Sequence, residues 1–258
     1  MCVNMYNNSF IVRIYVHFKY ANFAYFGNTT YAKEVVMATV KISSGNSKMG
    51  NVPSVSLPSI KTCRQCACQN KCYAQKLERL RPAVRNAYQH NLEVLINEPE
   101  TYWREVEASV MMSRFFRFHV SGDIPNEVYF AKMVEVAKRN PHCEILCFTK
   151  KYEIVNAYIE EFEALKYSKL VFPDCMMGIT GNAEPVIPPN LHIIFSGWVG
   201  LNMVNPFALP EAHVRYRDGS TTAREDAIEC GGNCTECALT EDGCWNLQKG
   251  QQVVFNEH

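Results

Sequence analysis

The sequence predicts an α/β protein with parallel strands, followed by a cysteine-rich segment near its C-terminal end. Two observations predict this class. Short apolar runs at 115–120, 144–148 and 191–195 alternate with segments of helical periodicity. Twelve cysteines are present, and two runs, 63–72 and 230–244, hold four each. We therefore expect a regular fold that carries metal sites rather than a disulfide framework, because neighbouring cysteines would close small, strained loops.

Bulk composition excludes several classes of protein. The 258 residues have 47% apolar content and zero formal net charge, so the overall charge favours neither nucleic acid nor a membrane as partner. The apolar stretch at 10–26 is too short for a membrane span and contains Arg13, His17 and Lys19. Free clustered thiols and the lack of a secretory signal indicate a reducing, cytoplasmic location.

Three regions are expected. Residues 1–36 read as an extension of doubtful origin, since the pattern becomes regular at Met37, where translation is expected to begin. Residues 37–225 are predicted to form the α/β domain with the first cysteine run. Residues 226–258 are predicted to form a cysteine-rich segment that packs on that domain.

The elements follow in a regular order. A short extended piece at 52–57 precedes the first cysteine run, and a helical pattern spans 73–96, where Pro82 should bend or divide it. Pro99 opens a second helix at 100–112. Strands are then predicted at 115–120, 144–148, 170–172 and 191–195, with helices at 126–139 and 154–165 between them.

Strands that alternate with helices pair in parallel through right-handed crossovers. The strands are almost continuously apolar, as expected when both faces of a sheet are covered. A partial or complete (β/α) barrel is the first expectation, and an open doubly wound sheet is the alternative.

Polar residues end several of these strands. In either architecture ligands bind at the carboxyl ends of the strands. His119, Asp123 and Lys150 are therefore candidates for proton transfer or for holding an anionic group, and Ser121, Gly122 and Ser196 for binding a cofactor or substrate. The alternative is that these residues, with Thr149, are ordinary turn and cap residues, in which case Asn126 would cap the next helix.

The C-terminal run has the spacing Cys230-x3-Cys234-x2-Cys237-x6-Cys244, and Gly231, Gly232 and Gly243 permit tight turns around a small core. Zinc sites usually take two well-separated pairs of ligands, whereas iron–sulfur sites often use one compact, unevenly spaced loop. The spacing favours an iron–sulfur cluster, with zinc as the alternative.

The N-terminal run contains Cys63, Cys66, Cys68 and Cys72 and directly precedes the first long helix, whose N-terminus stabilises negative charge. Basic residues surround it: Lys61, Arg64, Lys71, Lys76, Arg79, Arg81 and Arg85. They would offset cluster charge, bind an anionic cosubstrate or contact a phosphate backbone; for Arg81 and Arg85 a solvated helix face is the simpler explanation.

The order Cys230-x3-Cys234-x2-Cys237 resembles the radical S-adenosylmethionine signature, in which three cysteines hold a [4Fe–4S] cluster. That signature normally follows the first barrel strand, which is where the N-terminal run lies, and Cys244 would close the C-terminal site. We therefore expect an open, catalytic cluster at the N-terminal run and a closed auxiliary cluster at the C-terminal run. Cys143, Cys147 and Cys175 are expected to pack as small apolar residues, and Cys2 belongs to the extension.

Several segments together resemble the phage and prophage family called gene product 88. They are GNSKMGNVPSVSLP at 45–58, CQNKCYA at 68–74, FRFHVSGDIPNEVYF at 116–130, FTKKYEIVN at 148–156, LHIIFSGW at 191–198 and the run from CGGNCTEC to the tail KGQQVVFNEH. The resemblance implies a mobile-element origin and assigns little chemistry. It matches Cys63, Cys68 and Cys72 to the family pattern, treats Cys66 as an extra cysteine, and places the residues before Met37 outside the pattern.

Three functions compete at this point. The first is a radical S-adenosylmethionine-like enzyme of phage origin with two [4Fe–4S] clusters and an unknown substrate. The second is a nucleic-acid-associated accessory protein that binds through the basic stretch from Lys61 to Arg85, with structural iron–sulfur or zinc sites. The third is a host-directed interaction protein.

Overall fold

A computed structural model describes residues 39–47, 49–63, 72–171, 185–197, 204–240 and 243–257, with the backbone alone over 165–171. All of these residues belong to one compact unit, 38–258. The predicted extension 1–36 lies outside the described residues, as do Cys2, Cys66, Cys68 and Cys175. The predicted division between 225 and 226 stays a prediction.

The described residues form a seven-stranded sheet in which all pairings between strands are parallel. The strands are β1 (Ser54–Val55), β2 (Phe115–Phe118), β3 (Glu144–Thr149), β4 (Leu191–Ser196), β5 (Glu211–Arg215), β6 (Ile228–Glu229) and β7 (Gln252–Asn256). Their order across the sheet is β1-β2-β3-β4-β5-β7-β6. The predicted α/β class with parallel pairing is confirmed, while closure into a barrel stays a prediction.

The helices of the described residues are α1 (Ser59–Thr62), α2 (Tyr73–Leu80), α3 (Pro82–Asn97), α4 (Pro99–Met111), α5 (Glu127–Arg139), α6 (Tyr152–Val171) and α7 (Cys234–Ala238). Pro82 and Pro99 each stand at the start of a helix, where the missing N–H costs nothing. The division expected at Pro82 is therefore confirmed. Asn126 caps α5, and its side chain accepts a hydrogen bond from the N–H of Tyr129 at 2.9 Å.

One face of the sheet is covered by helices. From β1 to β5 neighbouring strands are also consecutive in sequence, so right-handed crossovers place the intervening helices on the same face. A doubly wound sheet would instead reverse its strand order. Alternate strand residues accordingly pack in one cluster with residues of α4, α5 and α6: Phe116, Phe118, Ile145, Ile193 and Phe195 with Trp103, Val106, Phe130, Met133, Val155 and Ile159.

The opposite face is covered by the C-terminal cysteine-rich segment and by the loop around Met49. Leu146, Ile194 and Val253 point to this side and form a second cluster with Trp245 and Leu247. Trp245 is 3% exposed, and its ring centroid lies 5.2 Å from that of Phe115. The cysteine-rich segment is thus one wall of the second core.

Asn190 aligns the two central strands. It is 5% exposed, and its Nδ2 lies 2.9–3.1 Å from the carbonyl oxygens of Ala137, Asn140 and Cys143. These carbonyls belong to the end of α5 and to the turn that leads into β3. The contact holds the start of β4 against that turn, in the register that pairs Ile145 with Leu191.

Two expectations from the sequence need correction or extension. The short strand predicted at 170–172 is wrong, because Leu170 and Val171 belong to α6; Phe172 lies outside the described residues. The pattern also did not predict β5, β6, β7, α1 or α7. Within the described parts of the chain, no helix combines the length and apolar character needed to cross a membrane.

Candidate metal centre

Four cysteines line one small cavity on the second face of the sheet. Cys230 follows β6, Cys234 and Cys237 lie on α7, and Cys244 follows the next turn and is 9% exposed. The cavity has a volume of about 30 Å³, and the other residues that line it are Arg117, Phe148, Asn233, Trp245 and Phe255. We call Cys230, Cys234, Cys237 and Cys244 the C-terminal cysteine group. The structure thus brings together all four residues predicted as ligands in this run.

Local contacts explain why the segment folds around this cavity. Asn233 caps α7, because its side chain accepts from the N–H groups of Thr235 and Glu236. The indole N–H of Trp245 donates to the carbonyl of Cys234 at 3.1 Å. A Cβ atom on Gly243 would lie only 2.0 Å from the carbonyl oxygen of Cys237, so only glycine allows the chain to pass there.

The loop around Met49 also holds α7 in place, through hydrogen bonds to Thr235. The Thr235 hydroxyl donates to the carbonyl of Met49 at 3.1 Å and accepts from the N–H of Asn51 at 3.2 Å. Gly50 has a φ of 62°, and a Cβ atom there would lie 2.2 Å from the Thr235 hydroxyl oxygen. Two glycines, one in each segment, therefore permit the close approach that builds the cavity wall.

The surroundings of the cysteines are apolar. Burial raises the pKa of the Cys244 thiol to about 12, and it also raises the pKa of the thiols of Cys230 and Cys237. Other cysteines of the group raise the pKa of each of these three thiols further, because the thiols lie close to one another. Without metal these three thiols are protonated at neutral pH, and metal binding has to displace those protons.

Arg117 is the charged residue that the sequence interpretation missed. It lies in the middle of β2, on the face that carries the C-terminal cysteine group, and its Nη1 donates to Cys234 Sγ at 3.8 Å. Its guanidinium carbon lies 4.9 Å from the centroid of the Phe148 ring. A cation inside the otherwise aromatic run Phe-Phe-Arg-Phe was a signal for such a role.

The two described cysteines of the N-terminal run, Cys63 and Cys72, lie near the carboxyl ends of β1 and β2. Cys63 directly follows α1, and Cys72 stands at the N-cap position of α2. The Tyr73 hydroxyl donates to the carbonyl of Val120, just past β2, at 2.6 Å. Tyr73 is 56% exposed as a whole, but burial of its hydroxyl raises the pKa of that group, and the charges of Cys72 and Cys63, which lie near it, raise it further. Cys68 is outside the described residues, and the three-cysteine site stays a prediction.

Asp123, one of the candidate residues at the strand ends, is held by several buried hydrogen bonds. The Asp123 carboxylate accepts from the Thr149 hydroxyl at 2.6 Å, from the N–H of Ile124 at 2.8 Å and from the N–H of Lys150 at 2.9 Å. It thereby ties the end of β2 to the end of β3. Burial raises the pKa of Asp123, while these hydrogen bonds and the Lys150 charge lower it.

Ser121 and Gly122 connect the same loop to the elements around the N-terminal run. The Ser121 hydroxyl donates to Glu78 of α2 at 2.7 Å, and the same carboxylate oxygen accepts from the N–H of Ser59 at 3.0 Å. Gly122 has a φ of 81°, and a Cβ atom there would lie 2.6 Å from the carbonyl oxygen of Leu57. Glu78 therefore joins α1, α2 and the β2 loop.

Ser196 lies at the end of the next strand of the sheet, β4, which pairs with β3. Ser196 itself pairs with Ala212 of β5, and within the described ranges no hydrogen bond joins it to the loop at 121–123. The structure thus gathers His119, Ser121, Gly122, Asp123 and Lys150 at neighbouring strand ends and places Ser196 at another strand end. The roles proposed for all six stay predictions.

His119 has an unusual environment. It is 3% exposed and has a φ of 59°, and neither ring nitrogen has a hydrogen-bond partner among the described residues. Its ring centroid lies 5.4 Å from that of Tyr129. Burial, assisted by the charge of Arg117, lowers the pKa of His119 to about 3. The ring is therefore neutral at physiological pH and takes part in any chemistry in that form.

The basic stretch is solvent-facing where it is described. Arg79, Arg81 and Arg85 are exposed, and none of them forms an ion pair with another described residue. Arg64 and Lys71 lie outside the described residues. Binding of nucleic acid through this stretch stays a prediction, as does the cytoplasmic location.

Comparison with known proteins gives two matches. The family model described as Gene product 88 matches residues 25–200. The Gene 88 protein of Mycobacterium phage L5 is 30% identical over 121 residues, which cover 41% of this chain and 51% of the phage protein, so the match spans about half of that relative. No solved structure matches the chain. The family match begins before Met37, contrary to the expectation that the pattern starts later, and it ends before the C-terminal cysteine group.

Replacement of His119 should change the acid stability of the protein. The unfolded chain binds a proton at this side chain below about pH 6.5, whereas the folded chain does so only near pH 3. The free energy of unfolding should therefore fall with decreasing pH, by up to about 1.4 kcal/mol per pH unit from this residue. The His119→Asn variant keeps a residue that tolerates positive φ and should lose this part of the slope.

The measurement is urea unfolding at several pH values between 7 and 4.5. The His142→Asn variant is the control, because His142 is exposed and should leave the slope unchanged. Parallel pH profiles for the wild type and His119→Asn would show that His119 is not buried in its neutral form.

Proposed function

The chain belongs to the gene product 88 family, and we propose that it is an iron–sulfur protein whose C-terminal cysteine group holds a [4Fe–4S] cluster. The observation that carries this proposal is the convergence of Cys230, Cys234, Cys237 and Cys244 on one cavity. Four exposed or loosely placed thiols would be oxidised readily, whereas four thiols held against an apolar floor are suited to a shielded cluster.

The compact and uneven spacing of the four cysteines along the sequence favours an iron–sulfur core over a single zinc ion. A tetrahedral zinc site would bring its sulfur atoms to about 3.8 Å from one another. Among the described residues, no three His, Cys, Asp or Glu side chains are arranged to hold one metal ion. Binding of a metal centre of either kind therefore requires the thiols to move, and an iron–sulfur core is the larger of the two. The cavity of about 30 Å³ must widen to admit it, and Gly231 and Gly232, with open space around them, allow the loop to move.

We further propose that Cys63, Cys68 and Cys72 hold a second cluster and that the enzyme acts on S-adenosylmethionine. Two features support this. The run follows the first strand of a sequentially ordered parallel sheet, and it precedes α2 at the carboxyl ends of the strands, where α/β enzymes bind ligands. A partial (β/α) barrel is the architecture that this proposal requires.

Several residues would have separate roles at the carboxyl ends of the strands. When bound, iron–sulfur clusters supply single electrons. Glu78, Ser121 and Asp123 fix the loops around the N-terminal run through buried hydrogen bonds. The Lys150 ammonium lies close enough to Asp123 and Tyr73 to oppose the rise that burial causes in the pKa of each, and it is placed to bind an anionic group such as a carboxylate. The substrate that accepts the chemistry is unknown.

Metal content tests the proposal directly. Protein purified without oxygen and reconstituted with iron and sulfide should hold about eight irons per chain. Cys234→Ala should lower this number by about four, because it removes a ligand of the C-terminal group, and Cys72→Ala should lower it by about four through the other run. The Cys143→Ala variant is the control, since Cys143 is buried in the helix-side core and should keep all the iron. Natively purified protein that holds zinc and no iron would refute the proposal.

Cleavage of S-adenosylmethionine tests the enzymatic part separately. Reduced, iron-loaded protein should release methionine from S-adenosylmethionine, and Cys72→Ala should lower the rate by at least about a hundredfold because it removes a ligand of the proposed catalytic cluster. Cys143→Ala should react as the wild type does. Mass spectrometry of the products measures the reaction. A fully loaded wild-type protein that leaves the cofactor intact would exclude this activity but leave the iron sites in place.

A nucleic-acid-associated protein with structural metal sites is the second candidate. The observation in its favour is the exposure of Arg79, Arg81 and Arg85 without ion pairs to other described residues. Phosphate binding through such residues depends steeply on salt.

If this candidate is right, fluorescence anisotropy with labelled single-stranded DNA or RNA should show binding at low salt. Replacement of Arg79, Arg81 and Arg85 by Gln should weaken it about tenfold or more and flatten its salt dependence. Replacement of Arg104, Arg114 and Lys138 by Gln removes the same charge elsewhere and should have a smaller effect. Absence of binding at low salt would exclude this candidate.

A further inference from the structure

Arg117 occupies a position that the metal proposal alone does not explain. It lies on β2 between two phenylalanines of the helix-side core, and its own side chain points to the opposite face, towards the C-terminal cysteine group. The guanidinium stacks over Phe148 at 4.9 Å and donates through Nη1 to Cys234 Sγ at 3.8 Å. These two contacts fix both the plane and the direction of the group.

Arg117 forms no ion pair with a carboxylate among the described residues, and its buried Nε has no hydrogen-bond partner there. The residue is partly buried, and a cation in such a position is stabilised by an anion that lies nearby.

The remaining lining of the cavity is uncharged. Apart from the cysteines, the described residues around it are Arg117, two phenylalanines, Trp245 and Asn233. Thiolates bound to an iron–sulfur core carry net negative charge and would supply such an anion. Among the residues that line the cavity, the guanidinium is therefore the charged group, while Glu236 acts on Cys237 from outside it.

We infer that Arg117 is a positioning residue that holds Cys234, balances the negative charge of a thiolate-bound cluster in the C-terminal cysteine group, and raises its reduction potential. This inference rests on the proposed function. Reduction adds a negative charge to the cluster, and a neighbouring cation stabilises the reduced form more than the oxidised form. Because the pocket is largely apolar, the effect is screened little by solvent.

The experiment is a redox titration followed by electron paramagnetic resonance on the reconstituted full-length chain. Cys72→Ala is used as the background, so that the signal comes from the C-terminal cluster alone. Arg117→Gln should lower the equilibrium constant for reduction at least tenfold, which is about 59 mV for one electron. Arg117→Lys keeps the charge and should remain within threefold of the background protein.

Arg114→Gln is the matched control. Arg114 lies on the same chain segment and stacks over Phe115 at 5.1 Å, but it is exposed and does not line the cavity. It should leave the potential unchanged.

The outcomes separate this inference from the proposed function. If the background protein binds no iron at the C-terminal group, the proposed function fails and the inference with it. If iron is bound but Arg117→Gln leaves the potential unchanged, the inference is overturned and the iron site stands. If Arg117→Gln binds no iron, the Arg117→Lys variant decides the outcome. An Arg117→Lys protein that binds iron and has a reduction potential near that of the background protein supports the charge-balancing role. An Arg117→Lys protein that binds no iron overturns it.

Discussion

The sequential order of parallel strands is the constraint on which the rest of the structure depends. Right-handed crossovers between consecutive neighbours place the intervening helices on one face, so the other face has to be covered by something else. Leu146, Ile194 and Val253 would remain in water without such a cover. The C-terminal segment supplies it, and the cysteines therefore lie against an apolar floor rather than in solvent.

This arrangement would link binding of the proposed cluster to folding. The segment around α7 has a helix of five residues and few buried side chains of its own, and it depends on Trp245, Thr235 and Gly243 for its shape. Four bonds to one core would hold its ends together far more strongly than those contacts. The raised pKa of Cys244 works in the opposite direction, because its proton must be released before the thiolate can bind. Loading of metal and closure of the second core are thus expected to be one cooperative event.

The elements that could be predicted from the sequence are those marked by a pattern of residues within the element itself. The runs that became β2, β3 and β4 are continuous and apolar, and Pro82 and Asn126 marked helix starts by their own chemistry. β6 has two residues and exists through its pairing with β7, which no local pattern reveals. The apolar residues 170–172 were misassigned as a strand because a short apolar run does not distinguish a strand from the end of a helix. Likewise the cysteine spacing identified the candidate ligands, whereas Arg117 became relevant only when the sheet brought β2 beneath them.

The backbone of β2 also explains why the side chains of Arg117 and His119, two positions apart, lie on different faces of the sheet. Side chains alternate along a strand, so continued extension would place His119 beside Arg117, facing the cysteines. The φ of 59° at His119 ends that alternation, and the ring lies instead beside Tyr129 on the helix side. The residue tolerates this conformation at some cost, and its ring nitrogens remain without partners among the described residues. The strand thus directs the Arg117 guanidinium to the C-terminal cysteine group and the His119 ring to the helix side of the sheet.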